Sequence, residues 1–574
     1  MYANEIYVTL DDPLNKEEVL DHFNKTFDFA KSQMGSAQEI ALRLTPLKDV
    51  YYRHDTTFDS NPKGHRETNY VLLGIAFLIL FIAGINFTNL TTSLIPLRLK
   101  TINTHRVLGC SIYKLRAISL IESIVICLIS YILALFIVND LSYTPIANWV
   151  DADIRLSQYK ALILLTALIA ILTGCLAGLY PAIRSTSYAP ALVLKGSFGL
   201  SPKGKKVRVA LIGFQYTVSI ALIIVTLFMG LQNHFMTSSE QLGFNKDQVA
   251  IVNLTPEIYA KHKPQYIQKL KDYPGIEDVA FSVYELSKED DMIDLEYARH
   301  EDKDVFFKVF YASENFLSVM DIQVEEGRDF TREDLNKAQS DYIINPAAER
   351  DFHLHPGDRF NDRTVLGVSK DFRFNSCRIA SSPFVFALNN DIPNPKLVSY
   401  IRFNSKTNLQ EAVAHVRETL KEIDPTFPFE ISFYNTILNN LYQKEQTLGK
   451  LISLFGIMAI LISIVGVFGL VLFETQYRRK EIGIRKINGA TTGQILLMFN
   501  KTYIQIVSVC FIISIPIAWI GTQQWLENFA YKTPLHLWVF IVAFLIILSV
   551  TIGTVTFRNW QAANENPVNS VKSE

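Results

Sequence analysis

Apolar residues gather in seven long blocks along this chain. Tyr70–Leu94, Ala161–Ile183, Val209–Leu231, Leu451–Phe473 and Thr502–Leu526 contain no Asp, Glu, Lys or Arg. Ile118–Val138 contains only Glu122, and Thr533–Phe557 carries only His536. A bilayer core of about 30 Å takes roughly 20 residues of helix, so each block predicts a membrane-spanning helix. Between the fourth and fifth blocks the pattern changes. Alternating runs at Gln248–Leu254, Val305–Tyr311, Thr364–Val368 and Leu397–Phe403 predict strands, Gln410–Ile423 has helical spacing, and Pro356-Gly357-Asp358 is a turn. The expected fold is a polytopic α-helical membrane protein with an inserted α+β domain.

Charge in the loops orients the spans. The segment after the first block holds Arg98, Lys100, Arg106, Lys114 and Arg116 without an acid. After the third come Arg184, Lys195, Lys203, Lys205, Lys206 and Arg208, again without an acid. After the fifth come Arg478, Arg479, Lys480, Arg485, Lys486 and Lys501 against Glu474 and Glu481. The intervening segments Asn139–Lys160 and Glu527–Lys532 are acidic or nearly neutral. Short basic loops stay cytoplasmic, so the N-terminus and residues 232–450 are expected outside and the C-terminus inside, in a multi-pass protein of the inner (plasma) membrane. Met1–Leu20 has neither a basic n-region nor an apolar core to carry the N-terminal tail across. The expectation is therefore a chain that starts downstream of a missing segment.

Composition narrows the function classes. Of 574 residues 49% are hydrophobic and 19% charged, with a net charge of −1 and a mean hydropathy of +0.17. That excludes a mainly disordered chain and gives no global basic surface for nucleic acid. Five cysteines in this length make no disulfide framework, and Cys377 alone lies in the insert.

The chain also matches itself. Lys100–Cys110 aligns with Lys480–Ala490, Pro190–Gly196 with Pro567–Ser573, Tyr7–Leu10 with Tyr400–Phe403, and Glu39–Tyr51 with Glu430–Tyr442. The second copy reads as a span, a large outside domain and three spans; the first lacks its leading span and most of its domain. The expected organisation is a remnant of a first outside domain at 1–69, a three-helix membrane domain at 70–183 and a cytoplasmic linker at 184–208. A single span at 209–231, the inserted domain at 232–450, a second three-helix domain at 451–557 and a cytoplasmic tail at 558–574 complete it.

Motifs for catalysis are missing. The sequence has no P-loop, Gly-x-Ser-x-Gly, His-Glu-x-x-His or Cys-x-x-Cys. His353 and His355 stand beside a Pro-Gly turn with no third ligand in view, and Glu289-Asp290-Asp291 reads as a solvated acidic turn. No catalytic, cofactor or metal residue is expected. Glu122 lies about one turn inside its span and is expected to snorkel towards Arg116 or Lys114. The remaining feature is the pair of basic segments. In Arg478–Ala490 the residues Ile482, Ile484 and Ile487 interleave with Arg478, Arg479, Lys480, Arg485 and Lys486, and Gly489-Ala490 closes the segment. One such segment reads as a headgroup anchor; two in equivalent places read as a docking element.

Arg478-Arg-Lys-Glu481-Ile482-Gly483-Ile484-Arg485-Lys486-Ile-Asn-Gly489-Ala490 resembles the signature of FtsX-like, MacB-type ABC transporter permeases. Asn86-Phe-Thr-Asn-Leu90, Tyr180-Pro-Ala182, Gly327-Arg-Asp-Phe330, Asn345-Pro-Ala-Ala348 and Gly367–Phe372 are similar to further segments of that family, whose MacB-type periplasmic core domain the insert would be. The first-repeat segment, with Arg98, Lys100, His105, Arg106 and Gly109, has Thr101 and Asn103 where Glu481 and Gly483 stand, so weaker docking is expected there. The resemblance implies a permease subunit without its own ATPase, worked by mechanotransmission in export or efflux. ATP and Mg would sit on a separate cytoplasmic ABC ATPase, and the permease would be a dimer of halves or one duplicated chain. A periplasmic adaptor or hydrolase is a further implied partner, besides membrane lipid. The alternative is an ATP-driven signalling or scaffold subunit that activates a periplasmic hydrolase. The Gly466-Val-Phe-Gly469 stretch permits close helix approach.

Overall fold

The computed structural model describes residues 7–11, 15–26, 44–52, 66–144, 147, 155–187, 202–238, 242–287, 294–300, 303–337, 339–373, 376–388 and 397–564. Most of the linker read at 184–208, the acidic turn 289–291 and the last ten residues lie outside these. The chain divides into two compact units, Met1–Ile75 and Ala76–Glu574. The first holds α1 (Lys16–Thr26), α2 (Leu47–Val50) and the opening turns of α3 (Arg66–Ser93). Arg66 pairs there with Asp49 at 3.6 Å and lies over the Tyr52 ring.

In the second unit α3 continues into α4 (Ile95–Val107), α5 (Ile112–Leu141) and α6 (Lys160–Thr186), and α7 (Pro202–Thr237) leads to the insert. Seven of the described helices are long and apolar enough to cross a membrane. They extend beyond the apolar blocks because polar helix formers continue each pattern at its ends. The last span, α16 below, begins later than its apolar block: the Thr533 N–H donates to Gln232 Oε1 at 2.8 Å, which holds that segment extended.

The insert is a mixed sheet with helices on it. Its elements are β1 (Val249–Leu254), α8 (Pro256–Lys271), β2 (Ile276–Ser282), β3 (Asp294–His300), β4 (Lys303–Ala312), α9 (Phe316–Met320), β5 (Val324–Gly327), β6 (Tyr342–Ile344) and α10 (Pro346–Phe352). After them come β7 (Arg359–Phe360), β8 (Arg363–Ser369), β9 (Phe384–Leu388), β10 (Leu397–Phe403), α11 (Leu409–Ile423), β11 (Ile431–Phe433) and α12 (Tyr434–Leu441). The sheet order is β11-β1-β10-β2-β4-β9-β6-β8-β5, with β3 on β4 and β7 on β8. All four strands and the helix read from alternation and helical spacing are present. The sheet narrows at β2–β4, where a single pair, Ser282 and Ala312, is in register.

Motif residues in the insert hold its own structure. Arg328 grips the buried Asp334 carboxylate with two nitrogens at 2.7 and 2.8 Å, and Lys337 adds a third contact at 3.0 Å. These cations hold the Asp334 carboxyl well below the usual carboxylate range, the Arg328 hydrogen bonds contributing most. Asn345 is fully buried; its Oδ1 accepts from the Ala348 and Phe384 N–H groups, and its Nδ2 donates to Ser381 Oγ and Ser382 O.

Beyond the insert run α13 (Gln443–Tyr477), α14 (Arg479–Ile487), α15 (Thr492–Leu526) and α16 (Leu537–Ala563). Helices α7, α13, α15 and α16 form a bundle around Tyr216, Ile220, Ile224, Phe228, Val507 and Val539. Two polar pairs sit inside it, Ser219 with Ser463 and Tyr216 with Thr551, both at 3.0 Å. Helix α3 packs on this bundle parallel to α13: Asn86 Nδ2 donates to Ile462 O at 2.7 Å, and Leu90 stands beside Gly469. The parallel packing fixes which turns share an end. The turn after α4 and the turn after α14 lie together, at the end opposite the insert. The protein is thus a multi-pass α-helical membrane protein with an inserted α+β domain.

Candidate functional site

The two basic turns are built alike. Helix α14 begins after a kink at Arg478, whose guanidinium pairs with Glu474 at 3.1 Å and lies 5.7 Å from the Phe499 ring centre. Glu474 also accepts from Tyr503 Oη at 3.3 Å, so the kink is pinned to α15. Ile482 and Gly483 face the bundle, whereas Ile484, Arg485, Ile487, Asn488 and Gly489 are exposed. Gly489 then closes the helix with φ +89°, a left-handed value that glycine adopts without Cβ strain. Its N–H reaches Lys486 O at 3.0 Å and the Ala490 N–H reaches Arg485 O at 3.0 Å. Thr491 and Gln494 cap α15 reciprocally.

The first-repeat turn repeats this geometry with different side chains. Gly109 has φ +92°, its N–H reaches Arg106 O at 3.1 Å, and the Cys110 N–H reaches His105 O at 3.0 Å. Ser111 caps α5 through the Lys114 N–H at 3.3 Å. Thr104, His105, Val107, Leu108 and Gly109 are exposed, the same positions as in the second turn. Asn103, which replaces Gly483, is buried and donates to Leu99 O at 2.8 Å. The substitution that makes this segment look degenerate is thus absorbed on its inner face, and the outward difference is lost charge.

The second turn frames an open depression of about 520 Å³ lined by Arg485, Asn488, Gly489, Ala490, Gln494 and Ile495. Arg485 pairs along its helix with Glu481 at 2.8 Å. The side chains of Lys100, Arg479 and Lys480 lie outside those described. Guanidinium and amine groups beside exposed Ile484 and Ile487 make a contact surface that binds rather than reacts. Sequence reading passed over Val107, Leu108 and Tyr113, which are 67%, 79% and 82% exposed and give the first turn an apolar face. Their position within a few residues of a capping glycine was the available signal.

Two sequence expectations need correction. Glu122 pairs with Arg98 at 2.8 Å, while Arg116 donates to Thr186 Oγ1 at 3.0 Å. Six residues of helix separate Arg116 from Glu122 and turn them to different sides, and Lys114 is about 12 Å away along the axis. His355 does have further potential ligands: its Nδ1 lies 3.5 Å from Glu349 Oε1, and Glu326 stands within 4.8 Å of both. These three could hold a cation, although the group is open to solvent; His353 is not part of it.

The FtsX-like permease C-terminal family model matches residues 73–190 and 453–567, which are the two three-helix modules with their basic turns. These two modules are similar to the membrane part of FtsX-like permeases. The chain is 25% identical over 212 residues to the macrolide export ATP-binding/permease protein MacB of Aggregatibacter actinomycetemcomitans, covering 35% of this chain and 32% of that protein. It is 25% identical over 223 residues to MacB of Neisseria gonorrhoeae, covering 36% and 34%. The matched part is thus about a third of each relative's length. Among solved structures, the periplasmic region of MacB from Actinobacillus actinomycetemcomitans aligns with TM-score 0.26 and 14% identity, over 35% of this chain and 94% of that one. The extracellular domain of the noncanonic ABC-type transporter YknZ from Gram-positive bacteria aligns with TM-score 0.24 and 15% identity, over 32% and 99%.

Proposed function

We propose that the chain is the membrane subunit of an ABC transporter, and that its two basic turns receive a separate cytoplasmic ATPase that carries ATP and Mg. The observation that carries this reading is the matched geometry of the turns at Gly109 and Gly489, displayed at one end of one bundle. A two-fold ATPase dimer needs two like contacts, and a single chain offers both. The excess of Lys and Arg in the loops at this end supports a cytoplasmic place for it and an outside place for the insert. Closure of the ATPase on ATP would move α4 and α14, and the spans would relay that motion to the insert, which works on an extracytoplasmic substrate in export or efflux. Arg478 acts in this scheme through Glu474 and Phe499, setting the angle of α14, while Ile484, Arg485, Lys486 and Ile487 touch the partner.

ATP turnover tests the division of labour. The purified chain should hydrolyse no ATP alone and should support hydrolysis once an ABC ATPase subunit that binds it is added. Turnover by the isolated chain, with contaminants excluded, would contradict the reading.

A further inference from the structure

Both helices that flank the docking helix run unbroken to the far end of the bundle. Helices α13 and α15 are 35 residues each, about 50 Å at 1.5 Å per residue. At that far end they meet one short strap of the insert, residues 376–383. From the α13 side, Tyr442 Oη accepts the Cys377 N–H at 3.2 Å, and the buried Glu445 accepts Arg378 Nε at 2.7 Å. From the turn that follows α15, the Tyr531 N–H donates to Cys377 O at 3.1 Å, and Tyr531 Oη accepts the Ser381 N–H at 3.1 Å. The Arg378 guanidinium lies 5.0 Å from the Phe529 ring centre, and Arg373 lies 4.2 Å from that of Tyr531.

The strap is equally fixed to the insert. Asn345, the buried cap of α10, donates to Ser381 Oγ and to Ser382 O. Helix α7 closes the group: Gln232 Nε2 donates to Tyr531 O at 3.0 Å, and Met236 is fully buried against Cys377, Tyr442 and Phe529. Tyr531 therefore touches the insert, α7 and its own turn at once. Glu445 and Arg378 are mutually paired in a site with little water, where breaking one partner is costly.

We propose that the strap 376–383 is the clasp through which displacement of the docking helix reaches the insert, with Tyr531 and Glu445 as its positioning residues. The proposal rests on α14 being the moving part at the other end. It assigns the α15–α16 turn a part in the relay alongside the α7–α13 pair that carries the insert. Rigid helices joined at both ends make the two ends one coupled unit, and such coupling is reciprocal: loosening the clasp must be felt at α14.

Hydrogen exchange on the full chain in lipid nanodiscs, without any ATPase, tests this. Tyr531→Ala removes the acceptor of the Ser381 N–H and should speed exchange of that amide by about fivefold or more, the worth of one net hydrogen bond. The Cys377 amide, held by Tyr442 Oη, should speed as the strap loosens with the loss of the ring. It should also change exchange of amides 482–490 by about twofold, at the opposite end of α15. Tyr531→Phe keeps the ring and both backbone bonds, so it should speed Ser381 alone and restore 482–490 to the wild-type rate. Glu445→Gln, which keeps the shape and removes the charge, should reproduce the Tyr531→Ala pattern from the α13 side. Faster exchange confined to residues 527–536, or changes at the strap with 482–490 unmoved in both Tyr531→Ala and Glu445→Gln, would overturn the proposal. Since no ATPase is present, failure of the clasp is separable from failure of docking, which co-purification reads.

Discussion

Asn86 and Gly466 occupy the same place in the two repeats, and they touch. Counting back equally from Gly109 and Gly489 reaches these two residues, and a Cβ built on Gly466 would stand 2.3 Å from Asn86 Oδ1. About one turn on, Leu90 stands against Gly469, 2.7 Å from a Cβ built there and one position out of step. Contact between equivalent positions is the mark of a two-fold interface, here within one chain. The modules thus pair internally along α3 and α13, with the glycines allowing the backbone approach that small residues permit in a bilayer.

Gly466→Leu should therefore separate the modules. Overpacking a tight contact costs about 1–3 kcal/mol, and the Asn86 bond to Ile462 would be lost with it. Thermal unfolding in detergent should show a lowered Tm, while Gly553→Ala, where a Cβ meets nothing within 4 Å, should be silent. Equal effects of the two substitutions would show that the close approach contributes nothing.

The insert should depend on the Arg328–Asp334 pair. Asp334→Asn removes the charge on which Arg328 and Lys337 converge, at a side chain only 3% exposed, and losing hydrogen bonds to a charged group typically costs about 1.5–3 kcal/mol. The sign of the pH effect follows from the lowered pKa of Asp334. Its contribution is fully present above the ordinary Asp value of about 3.9 and fades as pH falls below it. Urea unfolding of the full chain, followed by exchange in β5 and β8, should show the wild type losing stability through that window. Asp334→Asn should be weaker at neutral pH and flatter in acid.

Topology can be read by labelling. Cysteines at the exposed positions His105 and Arg417, in a chain whose own cysteines are replaced, should react with impermeant reagent from opposite faces of the membrane. Reaction of both from the same face would refute the assignment of the insert to the outside.

Much of the fold was legible because its determinants are local. Seven apolar blocks announce their helices, period-two runs announce β1, β4, β8 and β10, and the aligned glycines Gly109 and Gly489 mark both basic turns. What escaped was long-range. Glu122 reads toward Arg116 and Lys114 on its own helix, because the sequence does not place Arg98, on another, beside it. His355 looked alone because Glu326 and Glu349 arrive from different elements. Tyr531 gave no sign at all, since a tyrosine in a short inter-span turn reads as an interfacial anchor until Cys377 and Ser381 are beside it. Conversely, Arg328 and Asn345 drew attention as motif residues and prove to hold the insert together.

Docking of the ATPase at the paired turns is measured by its co-purification with variant chains. Arg485→Glu with Lys486→Glu removes two favourable charges and sets acids against the partner. A rim charge is worth about 1 kcal/mol or less, whereas like-charge contact costs several. The carboxylate introduced by Arg485→Glu also faces Glu481 at i,i+4, a cost of only about 0.5 kcal/mol, so α14 should persist. The double variant is predicted to insert normally and to lose the ATPase. His105→Glu with Arg106→Glu should lose less, because that turn leans on Val107 and Leu108 rather than on charge. Retention of the ATPase by the Arg485/Lys486 variant at the wild-type level, or its loss only from the His105/Arg106 variant, would contradict the account.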